Sequence, residues 1–126
     1  MRAPEPIPAL RVVATPQDLD DLTWTDDAAR LRLAPDELML VGAATVQIAG
    51  EHVIVVDEAG FVGWWLTPDE LNEAVVPHVD WPFPTNRPAL AQGLVAGVPA
   101  KLWLAEDRAL LLCAAAYAHE LVDRLP

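Results

Sequence analysis

Serine is absent from this chain, which removes the commonest hydrolase nucleophile. Cysteine is nearly absent too. The single Cys113, inside ALLLCAAAYA, has no internal disulfide partner and reads as a small apolar residue filling core space. His119 lies six positions further on, but the pattern turns it outward while Cys113 ends a strand, so the two do not read as nucleophile and base. The three histidines, His52, His78 and His119, show neither H-x-x-x-H nor H-x-x-E spacing, so no zinc or iron site assembles from them. No G-x-G-x-x-G or P-loop occurs, and QGLVAG is too loose to cradle a phosphate. The adjacent Asp57 and Glu58 read as a polar strand end rather than an acid–base pair. No catalytic, cofactor-binding or metal-binding residue is expected, and no cofactor.

Basic residues are also few. Eight Lys+Arg against nineteen Asp+Glu give a net charge of −11, which repels a phosphate backbone and makes nucleic acid an unsuitable partner. Five acids fall in one stretch, Asp18, Asp20, Asp21, Asp26 and Asp27, yet QDLDDLTWTDDAA lacks the alternating ligand spacing and glycine turn of a calcium loop. It reads as a solvated, helix-capping segment. No apolar run reaches the ~18 residues of a membrane span, and MRAPEPIPAL holds three prolines and a glutamate where a signal peptide needs an apolar core. The expectation is a cytoplasmic protein with no membrane association.

What is present suits a folded domain. With 53% hydrophobic residues in 126 positions, the chain is expected to form a single domain over 1–126, with 1–14 as a proline-rich N-terminal segment. A domain of this size buries roughly two-thirds of its unfolded surface. The tetrapeptide PDEL occurs twice and is expected to do two different jobs. In WWLTPDELNEAVV, Thr67 precedes Pro68, and Glu70 stands three positions after the threonine, a capping box with proline at the first helical position. Leu71, Ala74 and Val75 then share a face until Pro77, so 68–76 is expected to be a helix. Thr15, Pro16 and Asp18 make a weaker version of the same device and predict a short helix over 16–22. In LRLAPDELMLVG, Ala34 cannot cap, and Pro35-Asp36 suit the centre of a turn between two strands.

The stretch KLWLAEDRALLLCA shares that outline and predicts a second hairpin, 101–104 with 109–113. From 114 to 125, Ala114, Tyr117, Ala118, Leu121, Val122 and Leu125 fall on one face of a helix, with Glu120 and Arg124 paired at i, i+4 on the other. VIVV (53–56) and FVGWWL (61–66) read as strands joined at DEAG, with Phe61, Gly63 and Trp65 on one side of the second and Val62, Trp64 and Leu66 on the other. Residues 43–50 fit a strand or a helical turn. Residues 77–89 hold four prolines and predict an ordered, irregular loop; beyond it an extended stretch has Gly93 and Gly97 as expected bends. Helices and hairpins intermixed without βαβ repeats define an α+β fold, an antiparallel sheet with hairpins packed against two or three helices.

Tryptophan is abundant, at five residues. Trp81 and Phe83 sit on a loop that prolines hold nearly rigid, so they fit two roles, anchors for a partner or a lid folded over the sheet. Trp64 and Trp65 are the candidates to line a small-molecule pocket.

Three stretches resemble a known family. HVIVVDEAGFVGWWLTPDELNEAVV resembles the segment of aminomethyltransferase-like folate-binding proteins in which a strand ends in V-D, a second strand follows, and a P-D step caps the next helix. RLRLAPDELMLVG resembles the W-L-G-P-D-E-W-L-L stretch of the gamma subunit of heterotetrameric sarcosine oxidase. LAQGLVAGVPAKLWLAEDRALLLCAAAYAHELVDRL resembles that subunit's A-Q run, V-P hairpin and Y-A-x-x-L helix. Together they cover about residues 29–125, in the family's order. The chain departs from the pattern in its shorter length and in Glu58, which replaces the V-S expected after Val56-Asp57. The K-G-C-x-x-G-Q-E signature of the folate-dependent transferases is missing.

The resemblance implies an aminomethyltransferase-like half-domain acting as a non-catalytic accessory subunit or interaction module, at most one subunit of an oxidoreductase complex. The implied partners are other protein subunits, a flavin-containing one among them, or further copies in a homo-oligomer. The alternative is a stand-alone domain binding a folate-like small molecule.

Overall fold

The computed structural model describes residues 1–24, 27–43 and 45–126. Asp26 of the acidic segment and Ala44 of the ambiguous 43–50 stretch lie outside the described residues. The fold is α+β, with antiparallel pairing in every sheet. The chain divides into two compact units, one made of Met1–Ile7 with Gly60–Pro126 and the other of Pro8–Ala59.

The Pro8–Ala59 unit begins with β2 (Ala9–Val13), the strand after β1 (Glu5–Pro6) of the other unit. Thr15 then caps α1 (Pro16–Asp21), its hydroxyl accepting from the Asp18 N–H at 3.2 Å. This matches the expected helix. Next come β3 (Thr23–Trp24), β4 (Ala29–Ala34), β5 (Glu37–Val41), β6 (Val46–Gln47) and β7 (Ile54–Glu58). The first PDEL is the β4–β5 hairpin, as Ala34 and Pro35-Asp36 predict. Strand order is β4-β5-β2-β7, and β3 pairs with β6 separately, which makes Val46–Gln47 a strand. Alternation in β2 and β5 sends Val12, Leu38 and Leu40 to one face, where Leu19 and Leu22 of the α1 region close a core without exposed members.

The other unit is built on β8 (Phe61–Leu66), β9 (Ala89–Val95), β10 (Val98–Leu104) and β11 (Ala109–Ala114), in the order β1-β8-β11-β10-β9. The expected β10–β11 hairpin is present, with Trp103 opposite Leu110. One sheet face carries Trp64, Leu66, Leu102, Leu104, Leu111 and Cys113 into a core that Leu71, Val75, Leu121 and Leu125 cover from the helical segments. The burial of Cys113 pushes its thiol pKa up, as an apolar site does.

VIVV and FVGWWL are both strands, as expected, and they take partners elsewhere: β7 joins β2, and β8 lies between β1 and β11. DEAG, which joins them, is where the chain leaves one unit for the other. Several expectations need correction. The 68–76 helix is α-helical only at α2 (Pro68–Glu70). It widens into a π turn over Leu71–Val75, closed by the Val76 N–H on the Leu71 carbonyl, and then tightens to a 3₁₀ turn, Val76–His78. The wider turn buries both Leu71 and Val75, and Pro77 has no N–H with which to continue an α pattern.

The C-terminal helix, α3 (Ala118–Arg124), starts later than 114. Ala114 still pairs with Phe61 in the sheet, and the Ala115 N–H donates to the Gly60 carbonyl at 2.9 Å. A 3₁₀ turn, Ala115–Tyr117, makes the transition and leaves Tyr117 exposed. Gly93 is not a bend either. It pairs with Ala100 inside β9, and its bare Cα makes room for Trp81, since a Cβ there would lie 2.8 Å from the indole nitrogen. Gly97, at φ +79°, is the bend, forming a tight turn with Ala96. Finally, the proline-rich 1–14 segment holds two strands, and β2 is an interior strand of its sheet.

Candidate functional site

An exposed apolar surface lies on β7. A strand at a sheet edge offers unpaired N–H and C=O groups, which proteins generally blunt with charge, proline or a covering segment. Among the described residues β7 pairs with β2 alone, so its other side is such an edge. Its sequence supplies no lysine, arginine or proline there. Ile54 is 59% exposed, Val55 42% and Val56 49%, with Val13 of β2 at 36% beside them.

The polar flanks of this edge are acidic: Glu51 before it, Asp57 and Glu58 at its end. Arg11, opposite Val56 on β2, spans diagonally to Glu58 at 2.7 Å on one side and to Glu37 on the other. Burial pulls the Arg11 pKa down, but hydrogen bonds and charge from Glu37 and Glu58 outweigh it and raise the net value. The bridge pins β2 to both neighbours. It also occupies one acid of the β7 end and leaves the apolar residues uncovered.

The aromatic candidates lie in the other unit. Trp81 and Phe83 are both partly buried, with ring centroids 5.2 Å apart, and both pack against the sheet core. The Trp81 indole N–H donates to the Leu94 carbonyl at 2.9 Å, and its ring lies on Gly93. Trp64 is buried within the core and donates to the Arg2 carbonyl at 2.7 Å. Trp65 points to the opposite face, where it meets Trp103 edge-on at 6.1 Å, and the Arg108 guanidinium stands 4.5 Å from the Trp65 ring and 5.5 Å from Trp103. That arrangement is a cation–π clamp.

Two of the cavities lined by the described residues open in this unit. The larger, about 410 Å³, has walls that include Phe61, Leu94, Pro99, Lys101, Leu112 and Tyr117. The smaller, about 360 Å³, is more polar, with Asn72, Thr85, Arg87, Glu106 and Arg108 among its lining residues. Trp64 and Trp65 line neither. Among the described residues, no group of three or more His, Cys, Asp or Glu side chains is placed to hold a metal ion, and no helix is long and apolar enough to cross a membrane.

Sequence reasoning missed both the β7 edge and the Lys101 cavity. VIVV signals a strand, but nothing in its letters tells whether it lies inside a sheet or at its rim. Lys101 alternates with its neighbours along β10, yet which residues face it depends on the β9 and β11 registers.

Comparison of the chain with protein-family models, with curated proteins and with solved structures finds no match.

Proposed function

We propose that this chain is a cytoplasmic, non-catalytic interaction module, an accessory subunit that joins a larger partner by strand addition along β7. The observation carrying this reading is the uncapped edge Ile54–Glu58, with three successive apolar residues each more than two-fifths exposed. Strand addition gains affinity from main-chain hydrogen bonds and specificity from alternate side chains. The acidic flanks and the net charge of −11 oppose a second copy of this chain and favour a strand with Val, Ile or Leu at its centre and Lys or Arg at its ends. The resemblance of residues 29–125 to the gamma subunit of heterotetrameric sarcosine oxidase adds a candidate class, a flavin-containing oxidoreductase subunit with which an aminomethyltransferase-like half-domain associates.

The test places a photo-crosslinking residue at Val55 in the full chain, expressed in its native cell, and identifies the crosslinked peptide. An apolar segment with basic flanks from a different polypeptide is expected, its yield lost in an Ile54→Lys, Val56→Lys double variant whose melting temperature is unchanged. Flavin absorbance in the purified complex then tests the class of partner. A crosslink to a second copy of this chain, no crosslink, or a yield indifferent to the two lysines would each sink the proposal.

A further inference from the structure

The two faces of the β7 edge hold their acids differently. Ile54, Val56 and Glu58 lie opposite Val13, Arg11 and Ala9 of β2, so they share one face of the sheet. Glu58 on that face is already held by Arg11 at 2.7 Å. Val55 and Asp57 lie opposite Val12 and Leu10, on the face that α1 covers, and Asp57 is exposed there.

A second carboxylate stands on the α1 face at the other end of the edge. Val53, two positions before Val55, packs against the core under α1 and so continues that face. A Cβ on Gly50 would lie 2.5 Å from Asp18 Oδ2 and 3.0 Å from the Val53 side chain, which places the half-buried Asp18 beside Val53. The α1 face of the edge thus runs from Asp18 at Val53, through Val55, to Asp57. Val53 and Asp57 are four strand positions apart, about 13 Å. Two basic residues with three residues between them span the same distance on an added strand.

The geometry points to Asp18 and Asp57 as the residues that select the strand added to β7: they accept from two Lys or Arg side chains four positions apart, separated by three apolar residues. The middle apolar residue lies beside Val55, and the outer two lie beside Ile54 and Val56 on the opposite face. This assignment rests on strand addition at β7. The pattern is symmetric about Val55, so it suits such a segment in either direction. The segment belongs to another polypeptide, because no two of this chain's eight Lys and Arg are four positions apart.

Amide shifts of residues 54–57 in the nitrogen-15-labelled full chain, titrated with two blocked peptides, test the assignment. Thr-Lys-Val-Ile-Val-Lys-Thr reads the same in both directions and sets its lysines opposite Val53 and Asp57. Lys-Thr-Val-Ile-Val-Thr-Lys has the same composition, charge and apolar centre, but its lysines move one position outward and onto the other face. The first is expected to bind roughly fivefold more tightly, on the scale of two exposed ion pairs. Asp18→Asn and Asp57→Asn, both isosteric, should each roughly halve that preference, and the double variant should erase it. Glu73→Gln, which removes one charge from the other unit, should leave the preference intact. Equal affinity for the two peptides, a preference that survives the double variant, or one that Glu73→Gln abolishes would overturn the assignment while leaving strand addition standing. Shifts absent with both peptides, or unaffected by Ile54→Lys with Val56→Lys, would overturn both.

Discussion

Removing both rings of the proline loop, by Trp81→Ala with Phe83→Ala, distinguishes their two sequence-level roles. A fully buried Phe or Trp cut to Ala costs about 3–5 kcal/mol. Trp81 and Phe83 are only partly buried, so about 2 kcal/mol each is the appropriate scale. Because the rings touch, with centroids 5.2 Å apart, the first removal already strips packing from the second and the losses fall short of additive. Loss of the indole N–H on the Leu94 carbonyl contributes up to about 1 kcal/mol, since water can replace it at this exposed site. The sum is a destabilisation of about 3–4 kcal/mol, a large share of the roughly 5–15 kcal/mol of a domain. Urea unfolding followed by far-ultraviolet circular dichroism suits the measurement, because the mutation itself removes a fluorophore. Gly93→Ala gives an independent check: its Cβ would meet the Trp81 ring and should loosen the same contact while leaving both aromatics in place. A double variant losing less than about 1 kcal/mol would show that the rings stabilise little where they lie, and the lid interpretation would fail.

The two PDEL copies should respond differently to cap chemistry. Thr67→Ala removes the hydroxyl that accepts from the Glu70 N–H, one of the two bonds of the observed capping box, and should cost about 1 kcal/mol, whereas Ala34→Thr, at the end of β4, should be close to neutral in thermal melts. Equal losses at both sites would contradict the assignment. Gly63→Ala should be among the most damaging single changes, because a Cβ there would lie 2.0 Å from the Leu111 carbonyl oxygen on the neighbouring strand. Backbone cannot yield as a side-chain tip can, so a loss on the order of 4 kcal/mol is expected, and a melting temperature within a few degrees of the parent would refute it.

Local chemistry was the most legible part of the sequence. Thr15, Thr67 and the two hairpin turns sit where capping and turn rules place them, because each depends on atoms within four residues. Partner choice between strands was not legible. Val53–Val56 and Phe61–Leu66 read as strands joined at DEAG, but the partner of the first, Ala9–Val13, lies more than forty positions upstream. That strand was itself disguised by the prolines at 4, 6 and 8, which mark a proline-rich segment and precede an interior strand. Gly93 misled for a similar reason, since the indole that needs its vacant Cβ position is twelve residues away.

The division of the chain gives its middle an uncommon covalent status. Residues 8–59 interrupt a unit whose two pieces meet where the Ile7 N–H donates to the Phe61 carbonyl at 3.1 Å, and their own two ends lie paired, Ala9 opposite Glu58. Entry and exit side by side are the geometry of a cassette. During synthesis the inserted portion emerges complete while the first seven residues still await β8, so it has the opportunity to form its sheet before the enclosing one can close. The same adjacency means that lengthening or shortening the insert need not change the span its host must bridge, which makes this portion the natural place for the chain to vary without disturbing the sheet that carries the cavity.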